Sequence, residues 1–217
     1  MRFVAAVLAL LFVRISAFSD SRLTKHYIEK RATWPNPGAV KGDTTGIHDP
    51  SVVKVSGKYF LYGTGVGIPT WTSTDRITWT AVGKAFSKAP TATNAFTGTS
   101  DASLWAPDVT YVGGKYIMYY SASSFGSQHS AIFMAQSSTG LPGSWTDDGV
   151  VISTVSGSDY NAIDPHLIVT SDGSWYLSLG SFWTGIKLIQ LNPSTGKPLN
   201  STITAISKRQ VQQPISR

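Results

Sequence analysis

Two aspartates occur in matching text, Ile47-His48-Asp49-Pro50 and Ala162-Ile163-Asp164-Pro165. Two carboxylates brought to one place are the equipment of general acid–base chemistry, because one can take a proton while its charge governs the ionisation of a neighbour. Proline disfavours helical backbone at the residue before it, so each aspartate is expected in extended geometry at the mouth of a strand. A single Asp-Pro more often only caps a strand or opens a turn. Recurrence at equivalent places, with aromatics close by, favours a shared site. Asp108, in Trp105-Ala106-Pro107-Asp108, follows its proline rather than preceding it and is read as a structural or supporting carboxylate. Asp75, Asp147, Asp148 and Asp172 stand in turn-like text and are read as solvated. His48 and His166 flank the pair, each either a substrate contact or a hydrogen-bonded packing residue. No set of His, Asp and Glu has the spacing of a transition-metal site, so no metal ligand is assigned.

Aspartates so far apart in sequence meet only if the chain repeats its architecture. Residues 49–62, 106–119 and 164–177 share one layout: a proline near the start, a short strand, a Gly-bearing turn, and a second strand rich in Tyr and β-branched residues. The prolines at 50, 107 and 165 are 57 and 58 apart, and the aromatics at 59, 116 and 175 are 57 and 59 apart. Trp71-Thr72-Ser73-Thr74-Asp75 and Ala135-Gln136-Ser137-Ser138-Thr139 each precede a tryptophan (Trp79, Trp145), predicting a third strand, a turn and a fourth. A long period built from four short strands marks the blade of a β-propeller. The competing arrangement, a β-sandwich whose hairpins match by chance, is disfavoured by three repeats in register. In a propeller the first strand of each blade lines the central channel, which would bring Asp49 and Asp164 to one axial pocket. Residues 43–217 have room for three blades, whereas closure needs at least four to protect the sheet edges, so a fragment of a larger propeller is expected.

Composition agrees with an all-β chain. Of 217 residues 14% are charged and 12% aromatic, Gly (20) and Pro (11) are plentiful, and Glu29 is the sole glutamate. Helices draw on Glu, Lys, Leu and Ala, while strands and turns use the Thr, Ser, Val, Tyr, Trp and Gly abundant here. The net charge of +6 is spread singly, with no basic run beyond Lys208-Arg209, so no nucleic-acid partner is expected. With no cysteine, disulfides, thiol nucleophiles and thiolate metal sites are excluded.

Met1-Arg2, the apolar run from Phe3 to Val13 and small residues at Ser16-Ala17 read as a secretory signal peptide over 1–17, too short to span a membrane. Lys30-Arg31 is a dibasic pair that would end a pro-segment over 18–31 and leave 32–217 as the mature propeller domain. A secreted, extracellular monomer without membrane contact is expected. Asn200-Ser201-Thr202 is an N-glycosylation sequon.

Five motifs taken in order carry a resemblance: His48-Asp49-Pro50-Ser51-Val52, Leu104-Trp105-Ala106-Pro107-Asp108-Val109, Ser124-Phe125-Gly126-Ser127, Tyr160-Asn161-Ala162-Ile163-Asp164-Pro165-His166 and Leu179-Gly180-Ser181-Phe182-Trp183. From about residue 34 to 200 the sequence resembles glycoside hydrolase family 43, and within it secreted fungal endo-1,5-α-L-arabinanases. The resemblance implies a five-bladed β-propeller and inverting hydrolysis of arabinan, a pectin side chain. It implies Asp49 as general base and Asp164 as the carboxylate that orients the acid and raises its pKa. Inversion requires base and acid to lie roughly 6.5–9.5 Å apart so that water fits between base and sugar. By the same resemblance Trp105, Phe125 and Trp183 form cleft walls, and Gly126, Asn161 and Ser181 are hydrogen-bonding or close-approach positions. The family's acid is a glutamate beyond Asp164, and a channel ion is held by later blades. Neither has a counterpart after Glu29 here, so no cofactor is expected and this chain by itself is expected to be inactive or nearly so. Two alternatives stay open: an exo-acting arabinofuranosidase or β-xylosidase of the family, and a non-catalytic carbohydrate-binding propeller.

Overall fold

The computed structural model describes residues 38–208. The leader expected at 1–17, the segment at 18–31 and the tail at 210–217 lie outside the described residues. In chain order the strands are β1 (Lys41–Gly42), β2 (Ser51–Val55), β3 (Lys58–Tyr62), β4 (Gly65–Val66), β5 (Pro69–Ser73), β6 (Thr78–Lys84) and β7 (Ser103–Val112). They continue with β8 (Lys115–Ala122), β9 (Ser130–Ser137), β10 (Trp145–Thr154), β11 (His166–Val169), β12 (Trp175–Leu179), β13 (Ile186–Leu191) and β14 (Thr204–Ser207). A short helix, α1 (Thr91–Thr97), joins β6 to β7 and was not foreseen. The strands form three sheets, ordered β1-β6-β5-β3-β2, β10-β9-β8-β7-β4 and β11-β12-β13-β14. Each holds the four-strand antiparallel meander expected of a blade. The parallel pairing of β1 on β6 and the antiparallel pairing of β4 on β7 add an outer and an inner strand.

Strand alternation explains how the blades stack. In β8, Tyr116, Met118 and Tyr120 point to one face and Ile117 and Tyr119 to the other. The first set packs with Phe60, Tyr62, Ile68 and Phe86 of the first blade, and the second with Leu167, Leu177, Leu179 and Ile189 of the third. A strand buried on both faces is largely apolar, and from Tyr116 to Ala122 β8 is buried without a break, with Ser121 the polar residue in the run. Each large side chain so buried contributes about 1.5–3 kcal/mol.

Three hydrogen bonds between blades recur with the period of the prolines. Tyr62 Oη donates to Gly140 O at 2.8 Å, and Tyr119 Oη donates to Gly196 O at 2.8 Å. Thr64 Oγ1 accepts from Ala106 N–H at 2.8 Å, and Ser121 Oγ accepts from Asp164 N–H at 3.1 Å. Ser51 Oγ accepts from Val109 N–H at 3.0 Å, and Asp108 Oδ2 accepts from Leu167 N–H at 2.8 Å. Each pair of side chains (62 and 119, 64 and 121, 51 and 108) stands 57 residues apart. Gly140 is required where it is: its φ is +72°, and a Cβ there would lie 2.8 Å from Tyr62 Oη.

Two expectations are corrected. Asp49 and Asp164 are not extended: their φ values are +46° and +54°, in the left-handed region. Ala106, in the same place of the middle blade, has φ +41°. Alanine has no polar side chain to stabilise that conformation locally, so the blade architecture imposes it, and the inter-blade hydrogen bonds to Ala106 and Asp164 hold it. Asp147 and Asp148 are not in a solvated turn but on β10, beside a bulge. Tyr120 Oη donates to Asp147 Oδ1 at 2.7 Å, and Gln136 Nε2 donates to Asp148 Oδ1 at 3.3 Å. The text Asp147-Asp148-Gly149 looks like a turn because the bulge uses the same residue types.

Candidate active site

Asp49 and Asp164 stand just before the strands β2 and β11, Ala106 lies within β7 at its bulge, and the three segments converge on one axial cavity. Residues 49–51, 106–108 and 164–165 line a space of about 370 Å³. A second space of about 310 Å³, bounded by His48, Asp49, Thr64, Trp105, Phe125 and Asp164, adjoins it. Asp49 and Asp164, distant in sequence, thus share both cavities.

Their surroundings differ. Asp49 Oδ2 accepts a hydrogen bond from Thr64 Oγ1 at 2.7 Å and lies 2.8 Å from His48 Nδ1. The Thr64 hydroxyl spends its one proton on Asp49 while its lone pair takes the Ala106 N–H, so one residue ties the carboxylate to the next blade's axial turn. Asp164 makes no such pair. Its carboxyl opens on the axis, yet the flanking blades crowd it and remove water. That crowding first, and the negative charge of Asp49 second, hold its pKa above the ordinary carboxylate value.

Asp108 lines the axial cavity but is already engaged. One oxygen takes the Leu167 N–H and the other lies 3.1 Å from His166 Nδ1. It is a brace between the second and third blades, as its position after proline suggested, and His166 is its partner. His48, by contrast, faces the cavity and touches Asp49.

Of the residues matched by resemblance, Trp105 and Phe125 stand over the aspartate pair. Phe125 is 100% exposed, which leaves it no packing role. Gly126 (φ +78°) follows it in a turn closed by Ser127 N–H donating to Ser124 O. Buried Asn161 reaches that turn, its Nδ2 3.5 Å from Ser127 O, and its Oδ1 has no partner among the described residues. Ser181 and the half-exposed Trp183 lie on the loop after β12 and line neither cavity. Thr64 was missed by sequence reasoning. The available signal was its spacing of 57 from Ser121, the spacing of Pro50 from Pro107. Among the described residues no group of three or more His, Asp or Glu is placed to hold a metal ion.

Comparison with known proteins adds an independent finding. The family model described as Glycosyl hydrolases family 43 matches residues 44–216. The extracellular endo-α-(1→5)-L-arabinanase 1 of Bacillus subtilis (strain 168) is 41% identical over 159 residues, covering 71% of this chain and 49% of that protein. Arabinan endo-1,5-α-L-arabinosidase A of Aspergillus niger is 43% identical over 177 residues, covering 79% and 50%. The solved structure of the Cellvibrio cellulosa α-L-arabinanase complexed with arabinohexaose superposes with a TM-score of 0.70 at 36% identity, covering 75% of this chain and 53% of that one. The chain therefore spans about half the length of the curated relatives it matches. Its three blades are those of a β-propeller of the five-bladed type.

Proposed function

Because the chain belongs to glycosyl hydrolases family 43, we propose that the whole protein is an endo-acting hydrolase of the 1,5-α-arabinofuranosidic linkages of arabinan, inverting at the anomeric carbon. The observation that carries this reading is the meeting of Asp49 and Asp164 in one cavity under Trp105 and Phe125. Asp49 is the general base. His48 and Thr64 occupy its Oδ2, leaving Oδ1 to take a proton from the water that attacks the sugar. Asp164 supplies the negative charge that favours protonation of a neighbouring acid and orients it. The proton donor is not Asp108, both of whose oxygens brace the third blade. Trp105 and Phe125 offer apolar faces to furanose rings, and Asn161, Gly126, Ser181 and Trp183 belong to the surrounding cleft. Action outside the cell accords with the leader read at 1–17 and with the relatives named extracellular.

The test is product analysis on linear arabinan. The whole protein is expected to release mixed oligosaccharides, and Asp49→Asn to lower the rate about 10²–10⁴-fold, the usual worth of a general base. Monosaccharide as the sole product would overturn the endo assignment. Binding without turnover, unchanged by Asp49→Asn, would make the propeller a lectin.

A further inference from the structure

Two loops with exposed aromatic rings flank the segment that leads into Asp164, and packing fixes neither ring: Phe125 is 100% exposed and Trp183 50%. Hydrogen bonds to one piece of chain, residues 155–161 between β10 and β11, hold both loops instead. On one side the Gln128 amide spans that piece, Nε2 donating to Ser158 O and Oε1 accepting from Gly157 N–H at 3.3 Å. Buried Asn161 adds its Nδ2, 3.5 Å from Ser127 O. On the other side Thr184 grips Asp159 O twice, by N–H at 3.0 Å and by the hydroxyl at 2.6 Å. Beneath that contact Lys187 of β13 is 5% exposed, its Nζ 3.5 Å from Thr184 O and 3.9 Å from Asp159 Oδ2. Lysine is almost never buried this far without partners, so the ammonium marks a junction that the fold keeps closed. The piece is stiffened from within: Ser158 N–H donates to Val155 O, and Ser158 Oγ accepts from Val155 N–H, each at 3.0 Å. Trp183 itself has φ +55°, a conformation that a large side chain keeps only where its neighbours over-determine it.

We propose that residues 155–161 are a positioning strap that ties the Phe125 and Trp183 loops into one unit, with Gln128 and Thr184 the positioning residues at its two ends. Phe125 stands between β8 and β9 of the second blade and Trp183 between β12 and β13 of the third, so the strap fixes two rings across a blade boundary. The proposal rests on the reading of those rings as cleft walls and adds how they keep a set separation before substrate arrives. Rings ordered in advance lower the entropy cost of binding, so the strap acts on the capture of substrate and leaves proton transfer to the aspartates.

Fluorine NMR of the 217-residue chain carrying fluorotryptophan tests the coupling, with the Trp183 signal assigned by its loss in Trp183→Phe. Gln128→Ala cuts the strap at the Phe125 loop and should shift or broaden the Trp183 signal on the next blade, leaving those of Trp71 and Trp79 in place. Thr184→Val should move the Trp183 signal too, whereas Thr184→Ser, which keeps the hydroxyl, should not. Near-ultraviolet circular dichroism checks the fold of each variant. In the whole protein, on linear arabinan, Gln128→Ala and Thr184→Val should each raise KM about three- to tenfold, the worth of one or two hydrogen bonds, with kcat held within about twofold. The double variant should raise KM by less than the product of the two single effects, because either cut frees the strap. A Trp183 signal indifferent to Gln128→Ala, KM effects that multiply, a loss confined to kcat, or no rescue by Thr184→Ser would overturn the strap and leave the aspartate reading standing. An unmodified protein that fails to hydrolyse arabinan would overturn that reading instead, and the fluorine signals would still decide the strap.

Discussion

The turns at Asp49 and Asp164 share a backbone and differ in company. Both residues precede proline, both have positive φ, and both open the inner strand of a blade. At Asp49 the carboxylate is gripped by Thr64 and His48. At Asp164 only the backbone N–H is gripped, by Ser121, and the carboxyl is left crowded and facing its neighbour's charge. Ala106 has the same φ and no carboxylate, which shows that the conformation belongs to the blade and the chemistry to the side chain. A repeated scaffold thus supplies two equivalent positions, and their surroundings give the two carboxyls different partners, as the proposed roles of base and modulator require.

Substitutions at the matched positions break or sharpen this comparison. The largest effect is on hydrolysis, where Asp49→Asn costs the 10²–10⁴-fold given above and Ala106→Asp, which restores the missing carboxylate in the middle blade, recovers none of it. Next come Thr64→Val and Ser121→Ala. Each strips a partner from an inter-blade N–H and should cost about 1–3 kcal/mol of stability by denaturant titration. Only Thr64→Val should also slow arabinan hydrolysis, by at least about tenfold, since it alone removes a hydrogen bond to the base. Equal rate losses in the two variants would show that the hydroxyls act on the scaffold only. Asp108→Ala should cost a similar 1–3 kcal/mol by orphaning the Leu167 N–H, with Asp108→Asn costing less because an acceptor remains.

The smallest effect is the thermal stability of Asp164→Asn. A carboxyl whose folded-state pKa is raised stabilises the fold fully at pH below its ordinary value, and that contribution is lost as pH rises through the raised one. Removing the ionisable group should therefore raise the Tm at pH 7 and leave it unchanged near pH 3. Solvent on the open side of the carboxyl screens the penalty, so the gain is at most about 2 °C.

Much of this was legible in the sequence. The period of the prolines announced the blades, the recurrence of Asp-Pro announced the pair, and the place of Asp108 after its proline marked it as a brace. Backbone conformation was not legible, because the rule for residues before proline describes a free chain, whereas Asp49, Ala106 and Asp164 are over-determined by their neighbours. Thr64 hid because a lone threonine between strands carries no local signal; only its register with Ser121 gives it away. The helix α1 escaped because Thr91–Thr97 is short and rich in Thr and Asn, poor helix formers held by packing of Phe96 and Thr93 rather than by propensity.

The most direct test of two distant carboxylates sharing one site is the titration of the Asp164 carboxyl carbon by NMR, in the unmodified chain and in Asp49→Asn. Asp164 should titrate above the ordinary carboxylate value, and its midpoint should fall in the variant without reaching that value, because crowding remains when the neighbouring charge is gone. An Asp164 midpoint that does not move when Asp49 loses its charge would contradict the account.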